Sequence, residues 1–459
     1  MQDMTQGKPG KLIFWFTIPL LIGNIFQQLY MFADTLVVGR TLGATALAAI
    51  GGSASSLIFI GFGSCSGLTS GMSALTAQCL GAKELDKVRQ SVATSLVITV
   101  VTGLLMTVFG FLFIRRMLML LNTPAASFAA AEEYLQILFG FALLGVLLVW
   151  IFAVLRALGD SVTPLYFLIV SNVLNIGLNI TFIRCCNAGV AGVAWATVVS
   201  QFIALTACVI YSLVKYPLLR LKKADWRFST CFYAEHLKLG IPMAFMLTVT
   251  GAGIAVLQMV MNRFGKDAIA GASTVVPLNN LTFLPIFSIG AALTTYVAQN
   301  YGARSLHRIR EGVALATKYT LLLTIISGIA AYIFAPWLVG LFIDGEANNE
   351  VIDYGVRNLR VNAPLYPLLA LLCLFRGVMQ GFGLPRSPFF SGIAEMFARI
   401  AGAFLLTALW GYEGACLSNP LAWGSGAVFV VAAYIMTLRR FRRDGIPPLS
   451  ERVRSEKIK

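Results

Sequence analysis

The 459-residue sequence contains few charged residues, and a minority of those are acidic. Asp, Glu, Lys and Arg make up only 12% of the chain, whereas about a quarter is usual for a soluble domain. There are 20 acidic residues against 35 basic ones, and two histidines, His236 and His307, which both fall in polar stretches. This scarcity excludes an ordinary soluble domain, and it predicts that no buried histidine relays protons.

The sequence also lacks the short motifs that mark enzymes and metal centres. Its eight cysteines are scattered and form no Cys-x-x-Cys pair, which is unlike a disulfide or zinc framework. No His-Glu-x-x-His, Gly-x-Ser-x-Gly or P-loop pattern occurs, and these are the patterns that place metal, nucleophile or phosphate in common enzymes. We therefore expect a protein that is not an enzyme and holds no cofactor.

Long apolar runs are what the sequence has in abundance, since 58% of its residues are hydrophobic. Runs of about 20 such residues are long enough to cross a bilayer as helices, and a lone segment in lipid must be helical to satisfy its own backbone. The pattern predicts an all-α polytopic membrane protein. Twelve spans are expected, at approximately 12–38, 47–79, 92–114, 132–155, 162–183, 190–214, 239–262, 269–298, 313–336, 358–381, 389–410 and 416–437.

The distribution of Lys and Arg predicts the orientation of these spans. Most basic residues fall in alternate loops and in the two ends of the chain, and such loops stay in the cytoplasm. We expect a multi-pass protein of the cell membrane, surrounded by lipid, with both termini cytoplasmic. Because the net charge of +15 is spread over these loops, we expect no nucleic-acid partner.

The two halves of the sequence resemble each other. "AQCLGAKELDKVRQ" at 77–90 aligns with "AQNYGARSLHRIRE" at 298–311, and further matches follow at nearly the same offset, among them "LRALGDSVTP" at 155–164 with "MQGFGLPRSP" at 379–388. Six spans per half is an even number, so both halves enter the membrane from the same side, as in parallel transporter repeats. We expect two pseudo-symmetric six-helix lobes with a central cleft. The predicted divisions are an N-terminus at 1–11, an N-lobe at 12–214, a linker at 215–236, a C-lobe at 237–437 and a basic tail at 438–459.

Polar residues form two stripes in the first half. Asp34 lies inside the first apolar run, with Gln27 seven residues before it on the same helical face. Asn172, Asn175 and Asn179 share a face of the fifth span. An ionisable residue in a span is a functional candidate, because a bare charge is expensive in hydrocarbon. The asparagines either join helices by hydrogen bonds or supply oxygen ligands beside Asp34, a set that suits Na⁺.

Asp160, just before the fifth span, is either a helix N-cap or a helper of Asp34. The second half holds a different set of charges, with Arg376 late in the tenth span, and Glu395 and Arg399 four residues apart in the eleventh. These three either form an ion pair that fixes helix geometry or line the cleft. No Asp or Glu occurs in 239–262, 269–298 or 358–381, which favours ion coupling in the first half.

Taken together, the order and doubling of these motifs resemble the MATE family of multidrug and toxic compound extrusion transporters. "FADTLVVG" in the first span, the doubled "AQ-x-x-GA-[KR]-x-L", "LNIGLNITFI" and "GVAGVAWAT" carry the resemblance, which covers roughly residues 10–440. It implies a monomeric antiporter that exports organic, cationic or amphipathic small molecules in exchange for H⁺ or Na⁺ by alternating access. A lipid-linked oligosaccharide flippase of the same superfamily is the alternative.

The resemblance also implies where coupling occurs. In the DinF-type branch, an acid of the first helix, a polar cluster of the fifth and a threonine of the sixth form the ion-coupling site. By motif, these positions are Asp34, Asn175, Asn179 and Thr197, and Na⁺ is expected at Asp34, Asn175 and Thr197. Asn179 is a departure, because the motif commonly ends in Asp, and this leaves Asp34 as the one titratable group of the cluster.

Overall fold

The computed structural model describes residues 2–226, 229–342 and 349–447. Over these residues the chain is almost entirely α-helical. Its helices are α1 (Pro9–Ala49), α2 (Ser55–Gly81), α3 (Leu85–Leu120), α4 (Ala125–Gly140), α5 (Ala142–Ala157), α6 (Val162–Arg184), α7 (Gly189–Lys215), α8 (Thr230–Met261), α9 (Lys266–Gly302), α10 (Leu306–Ile333), α11 (Ala335–Gly340), α12 (Asn349–Asn362), α13 (Tyr366–Gly381) and α14 (Arg386–Asp444).

Ten stretches of the described chain are helices long and apolar enough to cross a membrane. An eleventh span is the pair α4 and α5, which meet at a bend of 54°. The 59-residue α14 leaves helical geometry at Trp410 and Gly411, and at 1.5 Å per residue each part is long enough for its own pass. The predicted all-helical membrane fold is therefore confirmed, and the structure accounts for the twelve predicted spans.

The internal repeat is visible in the backbone. Residues with positive φ recur at matching places in the two halves, as the pairs Gly43 and Gly265, Lys83 and Arg304, Gly159 and Gly383, and Gly189 and Gly411. Each pair lies where one helix ends or turns into the next. The left-handed region is costly for residues with a Cβ, so its recurrence at matched positions shows that both halves share one chain path.

Lys83 and Arg304 show how closely the halves correspond. The amide of Lys83 donates to Leu80 O and that of Glu84 to Cys79 O, and Arg304 and Ser305 bond in the same pattern to Tyr301 and Asn300. This is the Schellman arrangement that satisfies the last carbonyls of a helix. The doubled sequence motif is thus a doubled helix end.

The described chain forms two lobes. One contains the chain up to Asp3 together with Ile18–Ala244, and the other contains Met4–Thr17 together with the chain from Phe245 onward. We call them the first and second lobe. The first turns of α1 and the C-terminal part of α8 therefore belong to the second lobe, whereas the N-terminal part of α8 belongs to the first.

The predicted boundaries between lobes and linker differ from these. α8 begins at Thr230, inside the predicted linker 215–236, because the polar residues there form the first turns of a helix that hydropathy alone does not reveal. α14 likewise continues to Asp444, into the predicted tail 438–459, whose last residues lie outside the described chain. In the second lobe, Met4 is wholly buried and its amide donates to Gln299 Oε1 at 3.0 Å, which explains why residues before α1 are part of a lobe.

Candidate functional site

Asp34 lies on α1 and accepts a hydrogen bond from α6. Asn179 Nδ2 donates to Asp34 Oδ1 at 2.5 Å, and Asn179 itself is 0% exposed. Hydrogen bonds to an ionised acceptor are shorter and stronger than neutral ones. The expected proximity of Asp34 and the asparagine stripe is therefore present in the structure.

The hydrogen bonds continue from Asn179 along α6 and across to α7. The same Asn179 Nδ2 donates to Asn175 Oδ1 at 2.8 Å, Asn175 Nδ2 donates to Thr197 Oγ1 at 3.0 Å, and Thr197 Oγ1 donates to Val193 O at 3.1 Å. Asn175 and Asn179 are four residues apart, so their side chains stack on one face of α6. The four residues Asp34, Asn179, Asn175 and Thr197, which we call the polar line, thus connect three helices of the first lobe.

The polar line contains an oxygen without a donor. Asn179 Oδ1 is buried and has no hydrogen-bond partner among the described residues, although a buried amide oxygen normally has one. It belongs to the same side chain that contacts Asp34, and α1, α6 and α7 contain no acid other than Asp34. A carboxylate beside an unsatisfied carbonyl oxygen is able to take up a proton or a hard cation, which prefers oxygen ligands.

Two tyrosines border Asp34 and were not predicted as site residues. Tyr30 is one turn before Asp34 on α1, and its hydroxyl interacts with Thr197. Tyr134 of α4 is also within electrostatic range of Asp34 and is 6% exposed. The spacing of Tyr30 from Asp34 was the available signal, whereas nothing in the sequence places Tyr134 next to α1.

Gln27 and Asn172 are not part of the polar line. Gln27 is partly exposed on α1. Asn172 is 9% exposed, and its Nδ2 has no hydrogen-bond partner in the described chain. The two residues share helices with Asp34 and Asn175, but no hydrogen bond within the described chain joins them to this group.

Asp160 caps a helix, as one of its two predicted interpretations requires. Its Oδ1 accepts the amides of Val162 at 3.0 Å and Thr163 at 2.9 Å, which are among the first free N–H groups of α6. Its Oδ2 accepts from the hydroxyls of Thr163 and Tyr216 and from Lys215 Nζ. Burial by itself raises the pKa of Asp160, but these bonds and the Lys215 charge outweigh it and leave the pKa below its ordinary value.

Arg376, Glu395 and Arg399 of the second lobe form one compact group. Glu395 Oε1 accepts from Arg399 Nη2 and Glu395 Oε2 from Arg376 Nη2, both at 2.7 Å. Arg376 Nε donates to Ser391 Oγ at 3.1 Å, and Arg399 Nε to Asn419 Oδ1 at 3.0 Å. These are the three charged residues that the sequence singled out, and the structure brings them into contact, so this group joins α13 to α14.

The prediction of no buried histidine proton relay rested on both histidines lying in polar stretches, and this premise is wrong for His236. This residue is 0% exposed, and its Nε2 is 2.9 Å from Ser91 Oγ. Its polar neighbours in the sequence suggested a loop, but they belong to the first turns of α8, which pack inside the first lobe. The structure joins His236 to Ser91 and Phe232.

Known proteins match this chain along most of its length. The MatE family model matches residues 19–181 and again 242–405, so that the two matches follow the internal repeat. The probable multidrug resistance protein YpnP of Bacillus subtilis is 29% identical over 389 residues, covering 83% of this chain and 84% of that protein. YoeA of the same organism, also named a probable multidrug resistance protein, is 27% identical over 431 residues, covering 91% and 92%.

A solved structure shows the same fold. The outward-facing conformation of a multidrug resistance MATE family transporter of the MOP superfamily aligns with a TM-score of 0.88 at 22% identity, over 95% of this chain and 98% of that one. The predicted resemblance is confirmed by the family match, and the structural similarity confirms the two-lobe architecture.

Proposed function

Because the chain belongs to the MatE family, whose model matches both of its halves, we propose that it is a secondary active exporter of organic compounds. It exchanges cationic or amphipathic molecules for H⁺ or Na⁺ by alternating access, as a monomer in the cell membrane with both termini in the cytoplasm. The names of the relatives YpnP and YoeA, both given as probable multidrug resistance proteins, support drug-like substrates. No observation on the described chain favours the flippase alternative.

The observation that carries the proposal is the 2.5 Å contact between Asn179 Nδ2 and Asp34 Oδ1. A carboxylate within a membrane-spanning helix is functional by default, since keeping it charged in lipid costs several kcal/mol. The amide of Asn179 stabilises the charged form of Asp34 with one bond. The second carboxylate oxygen and the unpartnered Asn179 Oδ1 are then available to the coupling ion.

Ion uptake changes the hydrogen bonds of the polar line because the side-chain amide of Asn179 has a donor, Nδ2, and an acceptor, Oδ1. When Asp34 takes up a proton, its new O–H requires an acceptor, and rotation of the Asn179 amide presents Oδ1 for that role. Such a rotation breaks the bond from Asn179 to Asn175 Oδ1. Na⁺ has a related effect, because Asp34, Asn175 and Thr197 offer it oxygen ligands. In both cases, neutralisation of Asp34 is transmitted from α1 to α6 and α7.

Competition for Asp34 accounts for exchange. An organic cation and the coupling ion both neutralise the same carboxylate, so that binding of one disfavours the other by a coupling free energy that acts in both directions. The ion gradient then drives the release of substrate on the outer side.

The test is ion-driven efflux of a cationic dye from proteoliposomes that contain Asp34→Asn protein. This substitution keeps the size of the side chain and removes its charge, and we expect the efflux driven by an ion gradient to fall to the background rate. Glu133→Gln, on the exposed surface of α4, is the matched control and is expected to keep full efflux. Retention of full gradient-driven efflux by Asp34→Asn would refute the coupling role of this residue.

The identity of the coupling ion is tested in the same vesicles. A pH gradient and a Na⁺ gradient are imposed separately, with the membrane potential clamped by K⁺ and valinomycin. The gradient that drives dye efflux in the wild type, and fails to do so in Asp34→Asn, identifies the coupling ion. Efflux that follows neither gradient would contradict secondary transport.

A further inference from the structure

We propose that the second lobe contains an anion-binding site, formed by Arg399, Arg376 and Thr250, which takes a halide ion or the carboxylate group of an organic molecule. The proposed ion coupling uses only the first lobe, so this site is a separate feature of the molecule. Three observations lead to it: an excess positive charge, two buried donors without acceptors, and a glycine beside one of them.

The first observation is the charge of the group. The helices of this group, α8, α13 and α14, contain four acids, of which only Glu395 bonds to these two arginines. The other three pair with other basic residues: Glu235 with Lys238, Glu413 with Arg357 and Asp444 with Arg443. Both oxygens of Glu395 are already bonded, one to each arginine. Two guanidinium groups and one carboxylate leave one positive charge in excess. The side chains of Arg399 and Glu395 are only 2% and 3% exposed, and an uncompensated charge at such a place is strongly disfavoured.

The second observation concerns the donors of Arg399. Its Nε bonds to Asn419 and its Nη2 to Glu395, but its Nη1 is buried and has no partner among the described residues. Arginine does not lose its proton in proteins, so this nitrogen remains a donor under all conditions. A buried donor without an acceptor is destabilising.

Thr250 of α8 provides a second unsatisfied donor. Its Oγ1 is buried and has no hydrogen-bond partner in the described chain. Thr317 and Thr407 of this lobe share this feature, whereas the hydroxyls of Thr320 and Thr324 donate to carbonyls of their own helix. Thr250 does not make this usual local bond, which leaves its O–H for another acceptor.

The third observation places α8 beside the arginine. A Cβ added at Gly253 would lie 3.2 Å from Arg399 Nη1 and 3.4 Å from the Cα of Met396. A Cβ added at Gly392 of α14 would lie 3.0 Å from the Cγ of Met246. Met246, Thr250 and Gly253 follow one face of α8 at helical spacing, so this face is directed towards α14. Gly253 keeps a side chain away from Nη1.

These features together specify the charge of the ligand. The two unpartnered donors, Arg399 Nη1 and Thr250 Oγ1, require an acceptor. The single excess positive charge is neutralised by a ligand with a single negative charge. A halide or a carboxylate has this charge, whereas a doubly charged phosphate would reverse the sign of the site. The open side is at Arg376, whose side chain is 13% exposed.

Binding is measured on the purified full-length protein in detergent. The midpoint of thermal unfolding is followed while chloride, bromide or acetate replaces a bulky sulfonate at constant ionic strength and constant Na⁺. We expect the midpoint to rise with the concentration of at least one of these anions. A response to halides alone assigns an inorganic anion, and a stronger response to acetate assigns a carboxylate.

Variants show whether the response comes from this site. Thr250→Val removes one donor with little change in shape and is expected to weaken anion binding about tenfold. Gly253→Ala places a methyl group against Arg399 Nη1 and is expected to abolish the response. Thr324→Val, which removes a hydroxyl that bonds within its own helix, is the matched control and should respond like the wild type.

Bromide also gives a direct view, because it scatters anomalously. Crystals grown with bromide should show an anomalous peak within hydrogen-bonding distance of Arg399 Nη1, and crystals of Gly253→Ala should lack it. A midpoint that is unaffected by any of the three anions overturns the site, as does a response that Gly253→Ala retains. Either result leaves the efflux test at Asp34 unaffected, because that test reports only on the first lobe.

Discussion

Asn179 Nδ2 is bonded at once to Asp34 Oδ1 at 2.5 Å and to Asn175 Oδ1 at 2.8 Å. One amide group therefore senses both the carboxylate on α1 and the polar residues on α6. A change in the charge of Asp34 first alters the bond from Asn179 to Asp34, since hydrogen bonds to charged acceptors are stronger than those to neutral ones. The residue that departs from the family motif is thus the one that connects the acid to the remainder of the line.

Replacement of Asn179 by Asp tests this connection. A second carboxylate beside Asp34 would make two like charges neighbours, and such a pair shares a proton that a single acid would release. We expect the pH of half-maximal efflux to move upward if H⁺ is the coupling ion. If Na⁺ is the coupling ion, the Na⁺ concentration for half-maximal efflux should fall. Dye efflux from proteoliposomes, measured across pH and Na⁺ concentration, gives both values.

The control for this variant is Asn122→Asp, the same change at an exposed turn between α3 and α4. It is expected to leave both values unchanged. An Asn179→Asp protein whose pH and Na⁺ profiles match those of the wild type would show that Asn179 and Asp34 do not interact during transport.

Loss of the hydroxyl of Thr197 should weaken ion coupling without removing the acid. In Thr197→Val, Asn175 Nδ2 loses its acceptor and becomes a buried unpaired donor, at a cost of about 1–3 kcal/mol. We expect a lower unfolding temperature and a reduced response of efflux to the coupling gradient. Thr197→Ser retains the hydroxyl and should restore both. Thr181→Val, whose hydroxyl bonds only to Gly177 O on an exposed part of α6, is the control, and an equal loss in that variant would contradict a specific role for Thr197.

Much of this architecture follows from the sequence. Apolar runs long enough for the bilayer predict the spans. The doubled "AQ-x-x-GA-[KR]-x-L" motif predicts two similar halves, and their similarity extends to the helix ends at Lys83 and Arg304. The spacing of Asn175 and Asn179 places them on one face of a helix. The number of residues per helical turn and the thickness of the bilayer core are nearly constant. The spacing of polar residues and the length of apolar runs therefore predict helix faces and spans directly.

Other features depend on contacts that a single sequence does not record. The burial of His236 arises because a polar helix start packs inside a lobe, and polarity alone predicts the opposite. Arg376 bonds to Glu395 from another helix, and the sequence left open whether these charges pair or line the cleft. Tyr134 likewise lies near Asp34 from another helix. Such contacts depend on which helices pack together, and hydropathy does not predict this.

Gly159 is expected to tolerate no side chain. Its φ of +82° is left-handed, which costs a residue with a Cβ about 1–2 kcal/mol. In addition, a Cβ there would lie 2.2 Å from the carbonyl oxygen of Gln2. We expect Gly159→Ala to lower the unfolding temperature in detergent and to expose the segment that includes Gln2 to proteolysis.

Gly177→Ala provides the comparison for that variant. Gly177 lies within α6, and a Cβ there meets nothing within 4 Å. Alanine is a better helix former than glycine by about 1 kcal/mol, so the unfolding temperature of the Gly177→Ala protein should equal or exceed that of the wild type. Equal behaviour of the two variants would contradict a special role for the turn at Gly159.

The capping of α6 by Asp160 should make stability depend on pH. The pKa of Asp160 in the folded protein is below its ordinary value, since the bonds from Thr163 and Tyr216 and the Lys215 charge outweigh the opposing effect of burial. A carboxyl whose pKa is lowered by folding stabilises the protein above the unfolded pKa, about 3.9. This stabilisation is lost as the pH falls through the folded pKa.

We therefore expect Asp160→Asn to reduce the free energy of unfolding at pH 7 by about 1–2 kcal/mol, because capping and charge are lost. The variant should unfold at a lower temperature than the wild type, and this difference should shrink below about pH 4. Unfolding temperatures in detergent between pH 7 and pH 3 measure this, with Asp86→Asn, whose side chain is 93% exposed, as a control that should follow the wild type. A difference between Asp160→Asn and the wild type that stays constant down to pH 3 would contradict the lowered pKa.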